Sequence, residues 1–329
     1  MLAQGKLLRN VLIMNMDRQL EDISESMYGK EISALNAEQI YIVVVCMVKG
    51  LVETFIKTNS EKKLYFISTS LEKGGFLENN LVNLGIYETL EGVLLSKGQT
   101  MSTLKKVEED YVGESKSFEQ TSKSFFEECK EYEIPAEAMG IRSIKEFEDG
   151  DWKNDNYDPE KSWLVKQEGS REIIFNDVKA KVLFYNMDVV GKDKEVYKFH
   201  LYDFEIQNEI KQDKQIYYDY FLVNTCVKQI LQDMKKNKYD LRNMDNHAKI
   251  GMEGKYVSLI IPELIRIMVN EKAMPIEEAI EVVRKTCGYE YFSDMIEAVN
   301  KCPLEYVEIL VPQLIEKIKK TEIKKGDEN

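Results

Sequence analysis

Residues that commonly carry out chemistry are sparse in this sequence of 329 residues. Only two histidines occur, His200 and His247. This excludes a histidine-rich metal site, so we expect no bound metal, and it argues against a Ser-His-Asp centre. No GxGxxG, P-loop or GxSxG sequence is present. His200 lies within the run VYKFHLYDFEI, and we interpret it as a packed or surface strand residue rather than a catalytic group.

Three further features have both a chemical and a structural interpretation. The paired glycines of EKGGF (72–76) could approach a phosphate, but a turn is their more common role. The carboxylates Glu108, Glu109 and Asp110 share one environment, whereas acid–base chemistry needs two different ones, so we predict a solvated face. Three tyrosines could stack on a sugar or a base, but their helical spacing favours packing: Tyr217, Tyr218 and Tyr220.

Charge and hydrophobic patterning argue against a nucleic-acid-binding protein and against a membrane-spanning one. The formal net charge is −13, from 58 acidic and 45 basic residues, and no dense basic patch is present to neutralise nucleic-acid phosphates. The most apolar stretch, YIVVVCMVKGLVETF, is interrupted by Lys49 and Glu53, so we expect no membrane segment. The N-terminus lacks the pattern of a cleaved signal peptide. We therefore predict a cytoplasmic protein.

The five cysteines are scattered, with no CxxC pair, which predicts reduced and mostly buried thiols. They are Cys46, Cys129, Cys226, Cys287 and Cys302.

Helical and strand patterns alternate along the chain, which indicates an α/β domain with a central sheet flanked by helices. Helices are predicted within 1–58, with Asn36 as an N-cap, at 78–98 as a helix-turn-helix with Gly85 as the stop, and at 114–134. Strands are predicted at 62–70, in a hairpin over 171–206 that turns at GKDK, and near 249–252. Between them, 146–162 is predicted to be an exposed acidic loop. We expect one domain over 1–320 and a charged tail over 321–329.

The segment EGKYVSLIIPELIR (253–266) joins a chemically plain loop to a well-formed helix. Apolar residues repeat at i, i+3, i+4, i+7 and i+8 from Ile261 to Val269, which predicts an amphipathic helix. Pro262 suits the first turn of this helix, where a missing N–H has no penalty.

Five segments, in order, resemble the N-terminal half of the glycogen (α-glucan) phosphorylases. They are LNAEQIYIVVVCMVKGLVETF, KKLYFISTSLEKGGFLENNLVNLGIYETL, VLFYNMDVVG, QIYYDYFLVNTCVKQIL and the long run from IIPELIRIMVNEKAMP to LVPQLIEKI. The resemblance covers most of residues 35–320. It implies the first Rossmann-like domain of a GT-B-type fold. Phosphorylases cleave α-1,4-glucan with phosphate and use pyridoxal phosphate (PLP) on a lysine of the C-terminal half. We therefore expect the second, PLP-bearing domain to be absent and no cofactor to be bound.

The family's functional loops are replaced in this chain. Where the family has a glycine-rich loop, the sequence reads YVGESKSFEQ and keeps only Gly113. Where the family has Asn-Asp-Thr-His-Pro, the histidine position falls on Tyr256. The family's Thr-Asn-His falls on a triplet centred on Tyr291, and its Trp-Leu-Arg-Tyr-Gly-Asn-Pro-Trp keeps only Trp163 and Leu164. The vestigial site or sugar contacts would therefore be Gly113, Trp163, Tyr256 and Tyr291, with no catalytic residue.

This pattern predicts a non-catalytic phosphorylase-like protein that acts as an interaction or regulatory scaffold. Its partner would be a homodimer copy or another protein, bound through the face that the second domain normally covers. Two alternatives stay open. One is a glucan-binding module that stacks sugars on residues such as Trp152, Trp163 and Tyr256. The other is a split phosphorylase whose PLP half is on another chain.

Overall fold

A seven-stranded mixed sheet forms the centre of the molecule. The computed structural model describes residues 2–53, 62–69, 76–112, 135–142, 147–148, 151–152, 163–191, 196–210, 213–288, 299 and 301–312, with the backbone alone for 2–13, 110–112, 147–148 and 151–152. The strands are β1 Lys63–Ser68, β2 Ala136–Ile141, β3 Phe147–Glu148, β4 Asp151–Trp152, β5 Val165–Lys166, β6 Arg171–Phe175, β7 Val178–Val190, β8 Val196–Ile206 and β9 Ala248–Glu253. The strand order is β5-β7-β8-β2-β1-β9, with β6 also paired to β7.

The sheet has a parallel half and an antiparallel half. Strands β8, β2, β1 and β9 run parallel, whereas β5, β6 and β8 pair with β7 in antiparallel fashion. The predicted strand at 62–70 and the strand near 249–252 are confirmed. The hairpin predicted over 171–206 is confirmed for β7 and β8, but β6 is a separate strand that pairs with β7, and residues 192–194 of the predicted GKDK turn lie outside the described residues. The loop predicted over 146–162 is wrong at 147–148 and 151–152, where β3 and β4 form a two-stranded antiparallel ladder, and residues 146, 149–150 and 153–162 lie outside the described residues.

Helices cover both faces of the sheet. They are α1 Leu2–Tyr28, α2 Ala37–Glu53, α3 Phe76–Leu84, α4 Tyr87–Ser96, α5 Met101–Val112, α6 Lys214–Lys236, α7 Met244–His247, α8 Ile260–Arg266, α9 Ile276–Thr286 and α10 Leu304–Leu310. One apolar core lies between the sheet and α6, α8, α9 and α10. The other lies between the sheet and α1 to α5. In β1, Tyr65 and Ile67 enter the first core and Phe66 packs against the second, which is the alternation expected of a strand covered on both sides.

Local sequence signals explain how several helices begin and end. Asn36 caps α2 as predicted: its side-chain Oδ1 accepts from the Gln39 backbone N–H at 2.8 Å, and the Gln39 side chain accepts from the Asn36 N–H at 3.1 Å. Gly85 separates α3 from α4 with a φ of +73°, as expected of a helix stop. The helix predicted at 114–134 lies outside the described residues.

Helix α8 differs from the amphipathic helix that its sequence predicts. Every residue from Ile260 to Ile265 is buried, because α6, α9 and α10 pack around it. After Arg266 the chain continues as a π-helix over Ile267–Glu271. The sequence pattern with one apolar face predicts burial on one side of the helix only, so it underestimates how much of α8 is buried. Pro262 does lie in its first turn, as predicted.

Four of the five cysteines lie in the part of the chain that the structure describes. Cys226, Cys287 and Cys302 are buried free thiols and Cys46 is half-buried and free, which confirms the prediction for these four, while Cys129 lies outside the described residues. Across the part of the chain that the structure describes, no helix has the length and apolarity needed to cross a bilayer.

Candidate functional site

Open α/β sheets bind ligands at the carboxyl edge of their parallel strands, so a ligand site is expected there. Ser68 at the end of β1 lies opposite Glu253 at the end of β9. The Ser68 hydroxyl donates to Glu253 Oε2 at 2.7 Å. Gly254 follows with a φ of +132°, and a Cβ there would lie 2.5 Å from Thr69 Oγ1. Only glycine fits this close crossing of two chains, so the edge is closely packed where β1 and β9 end.

Tyr256 is held in this edge by both its main chain and its side chain. Its backbone N–H donates to Asp219 Oδ2 at 3.0 Å, and its hydroxyl donates to Asp213 Oδ2 at 3.1 Å. The Lys255 ammonium lies 4.6 Å from the centre of the Tyr256 ring and 3.8 Å from Asp213. Tyr256 is buried, with 7% of its surface exposed. Its polar atoms are therefore used inside the protein.

Asp219 is a buried carboxylate with donors on both oxygens. Asp219 is fully buried. The side-chain amide of Gln215 donates to Oδ1 at 2.6 Å, and the backbone N–H of Tyr256 donates to Oδ2. Burial raises the pKa of Asp219 to about 7, and the two donors offset only part of this effect. The group therefore titrates near neutral pH.

Replacing Asp219 with Asn should remove a pH-dependent destabilisation of the folded state. The pKa of Asp219 is about 7 in the folded protein against an ordinary value of 3.8, so the folded state binds more protons between these values. The wild-type free energy of unfolding should then fall as pH rises from 4 to 7, by on the order of 3–4 kcal/mol from this group. Denaturant unfolding at several pH values should show the Asp219→Asn advantage growing over that range and constant above pH 8. A difference that stays constant with pH would contradict the raised pKa.

Glu108 is buried, so the predicted solvated face is wrong at this position. One carboxylate accepts four hydrogen bonds: from the Tyr41 hydroxyl at 3.2 Å, the Phe76 N–H at 3.1 Å, the Leu77 N–H at 3.0 Å and Trp163 Nε1 at 2.8 Å. Burial raises the pKa of Glu108, and these donors act in the opposite direction. The side chain thus joins α5 to α2, to the first turn of α3 and to Trp163. Its neighbour Glu109 is exposed, as predicted.

A third buried carboxylate, Glu263, lies in α8. It accepts from the Tyr220 hydroxyl at 3.1 Å, from the Asn224 amide at 2.8 Å, and from two nitrogens of Arg266 at 2.8 and 2.9 Å. The hydrogen bond to Glu263 raises the pKa of Arg266. The sequence carried a signal for this pair, since Glu and Arg three residues apart in an otherwise apolar helix can meet on one face.

A third polar network lies at the opposite, amino edge of the parallel strands. Lys63 at the start of β1 pairs with Glu137 of β2 at 2.9 Å and with Asp233 of α6 at 3.2 Å. His200 Nε2 lies 3.1 Å from Glu137 Oε2, and its Nδ1 lies 2.9 Å from Asn186 Oδ1. Burial would raise the pKa of Glu137, but His200 and Lys63 lower it to about 2. The mid-strand position predicted for His200 is confirmed. Its partner Glu137 is distant in the sequence and was not predicted.

The four predicted site residues do not form one site in the described structure. Trp163 is 3% exposed and belongs to the core beside α1 to α5, whereas Tyr256 belongs to the core on the other face of the sheet. Gly113 and Tyr291 lie outside the described residues. The tyrosines of α6 pack in the core as predicted, with Phe175 stacked on Tyr220 at 3.8 Å between ring centres.

Comparison with known proteins identifies the class. The carbohydrate phosphorylase family model matches residues 160–327, about half of the chain. The chain therefore belongs to the carbohydrate phosphorylase family, which confirms the resemblance of the five segments.

Individual relatives are distant and longer than this chain. The maltodextrin phosphorylase of Streptococcus pneumoniae is 22% identical over 333 residues, which cover 90% of this chain and 44% of the relative. The glycogen phosphorylase of Bacillus subtilis is 23% identical, with 78% of this chain and 39% of the relative covered. The muscle glycogen phosphorylase of Rattus norvegicus is 22% identical, with 80% and 40% covered. The chain thus spans about two fifths of the length of these relatives.

Proposed function

We propose that this chain is a non-catalytic member of the carbohydrate phosphorylase family that acts in the cytoplasm as an interaction or regulatory scaffold. Its sheet would correspond to the first Rossmann-like domain of a GT-B fold. The observation that carries the proposal is the burial and bonding of Tyr256, the residue on which, by the resemblance, the position of the family's sugar-contacting histidine falls. Its hydroxyl and N–H are bound to Asp213 and Asp219, and its ring is buried. The side chain serves packing where the family places a ligand contact.

The charges around Tyr256 support the same proposal. Three carboxylates, from Glu253, Asp213 and Asp219, lie at this edge beside one lysine, Lys255. A phosphorylase must hold inorganic phosphate, and the carboxylates of Glu253 and Asp213 would repel it, while burial raises the pKa of Asp219 to about 7. These residues do not fit a phosphate group, and we derive no step through PLP.

An assay of phosphorolysis tests the proposal directly. The purified chain is incubated with maltodextrin, inorganic phosphate and PLP, alone and mixed with the C-terminal half of the S. pneumoniae maltodextrin phosphorylase, and glucose 1-phosphate is measured. We expect no product above the buffer control, with the intact S. pneumoniae enzyme as the positive control. Tyr256→His should not create activity, because Asp213 and Asp219 stay in place. Product that depends on this chain would overturn the proposal, and product seen only in the mixture would favour the split enzyme.

The scaffold part of the proposal needs a separate measurement. Size-exclusion chromatography with light scattering gives the mass of the particle in solution. A defined dimer, or a stable complex with one captured protein, is the expected result. A monomer that captures no protein would contradict a scaffold role.

A further inference from the structure

A cleft of about 380 Å³ opens at the amino edge of the parallel strands, away from Tyr256. It lies between the last turns of α2, strand β5, and the ends of β7 and β8 that adjoin their connection. Lys198 of the cleft is level with Glu137 at the start of β2, which fixes the edge at which the cleft lies. Its volume is at the small end of the ~300–1,000 Å³ found for small-molecule pockets.

The charged groups of this cleft balance one another. Asp188 and Lys198 are directly opposite on the antiparallel strands β7 and β8, where side chains of opposite charge interact. Lys49 and Glu53 are four residues apart on α2; burial lowers the pKa of Lys49, and the charge of Glu53 acts in the opposite direction. All four line the cleft, so its described lining residues include two cationic and two anionic side chains. An ionic ligand would meet a like charge beside each opposite one.

Neutral hydrogen-bonding groups and apolar surface complete the lining. The amides of Gln167 and Asn186 line the cleft, and Val165, which is exposed, supplies apolar wall. Trp163 also borders the cleft, but it is buried and its indole N–H is bound to Glu108, so it contributes little surface. Amide groups both donate and accept hydrogen bonds, as the hydroxyls of a polyol do.

Asn186 connects the cleft to the half-buried His200. Its Oδ1 lies 2.9 Å from His200 Nδ1, and His200 Nε2 lies 3.1 Å from Glu137. A ligand that binds Asn186 must therefore change the environment of the imidazole. The network continues from Glu137 to Lys63 of β1 and from Lys63 to Asp233 of α6, while Asp188 of β7 and Lys198 of β8 are the next pair along the strands from Asn186 and His200 on the same face.

We propose that this cleft binds a small neutral polyhydroxylated molecule, such as a mono- or disaccharide. The paired charges and the amides suit hydroxyl groups, and the valine wall suits the carbon face of a sugar ring. The proposal does not depend on the absence of catalysis, because the cleft is at the edge of the sheet opposite Tyr256. It gives the glucan-binding alternative a defined place and ligand class.

Histidine NMR on the whole protein tests the proposal, because only two histidines contribute signals. The ring of His247 stacks on Tyr239 at 3.6 Å and precedes β9 at the far edge of the sheet, so it is an internal control. Titration with glucose or maltose should shift the His200 signals in a saturable way and leave those of His247 unchanged. Calorimetry should give millimolar or tighter affinity for at least one of these sugars, and glucose 1-phosphate should bind more weakly than glucose.

Variants of the lining residues decide whether the binding is in this cleft. Gln167→Ala removes a half-buried amide from the wall, and it should weaken binding roughly tenfold. Asn186→Leu should do the same and should abolish the His200 shift. Gln207→Ala is the matched control, because this exposed glutamine follows β8 at the end of the strand away from the cleft.

Three results would overturn the proposal. They are the absence of saturable binding of both sugars, tighter binding of glucose 1-phosphate than of glucose, and binding that Gln167→Ala and Asn186→Leu leave unchanged. None of these results depends on phosphorolysis, so failure here and failure of the proposed function are distinguishable.

Discussion

Replacing Arg266 with Met should lower the free energy of unfolding by ~3–5 kcal/mol, because it leaves the Glu263 carboxylate buried without its charged partner. Glu263 is fully buried, and Arg266 supplies two of its four hydrogen bonds. The remaining donors, Tyr220 and Asn224, are neutral and do not compensate the charge. Denaturant unfolding measures the loss.

The chain offers a closely matched control for this variant. Arg284 bonds Glu281 through the same two nitrogens and at the same spacing of three residues, but both side chains are exposed. Arg284→Met should therefore change stability little, since water replaces the lost partner. The double variant Glu263→Gln with Arg266→Met should recover most of the loss, because it removes the buried charge. Equal small losses for the two arginine variants would show that the Glu263 pair contributes no more than a surface pair.

The second large effect is expected at Glu108. Glu108→Ala should lower the free energy of unfolding by at least ~3 kcal/mol, because four donors lose a charged acceptor and two of them are the first N–H groups of α3. Water does not reach these groups easily, since Glu108 is 4% exposed. Denaturant unfolding gives the magnitude, and a shift in tryptophan fluorescence should report the loss of the Trp163 hydrogen bond.

Glu109→Ala is the control for this change, because it removes the neighbouring carboxylate from an exposed position. It should leave both the stability and the fluorescence unchanged. A Glu108→Ala protein as stable as the Glu109→Ala protein would mean that the four donors find other partners. In that case Glu108 would behave as the solvated residue that the sequence predicts.

Glu108 also shows why burial of a polar residue is hard to predict. The run of Glu108, Glu109 and Asp110 has one local appearance, and nothing in it distinguishes the first carboxylate from the second. The partners that separate them come from α2, α3 and Trp163, up to 67 residues away. Hydrogen bonds of this kind are decided by tertiary packing, whereas hydrophobic periodicity is a property of a few neighbouring residues.

Local sequence patterns predicted many of the elements and the family, but not the central strand β2 or the helix α5. Alternation and turn residues predicted β1, the β7–β8 hairpin and β9, and Asn36 and Gly85 correctly marked helix ends. These succeed because caps, turns and periodicity depend on residues close in the chain. The ordered phosphorylase-like segments indicated the family that the comparisons confirmed.

Which polar groups contact one another depends on tertiary packing. It brought Glu137, His200 and Lys63 together from three strands, and it separated Trp163 and Tyr256, which the sequence had grouped, onto opposite faces of the sheet. It also buried α8 on all sides by packing α6, α9 and α10 around it. The physical reason is that burial and pairing are set by the order and direction of strands, and one sequence window carries no information about the element that will pack against it.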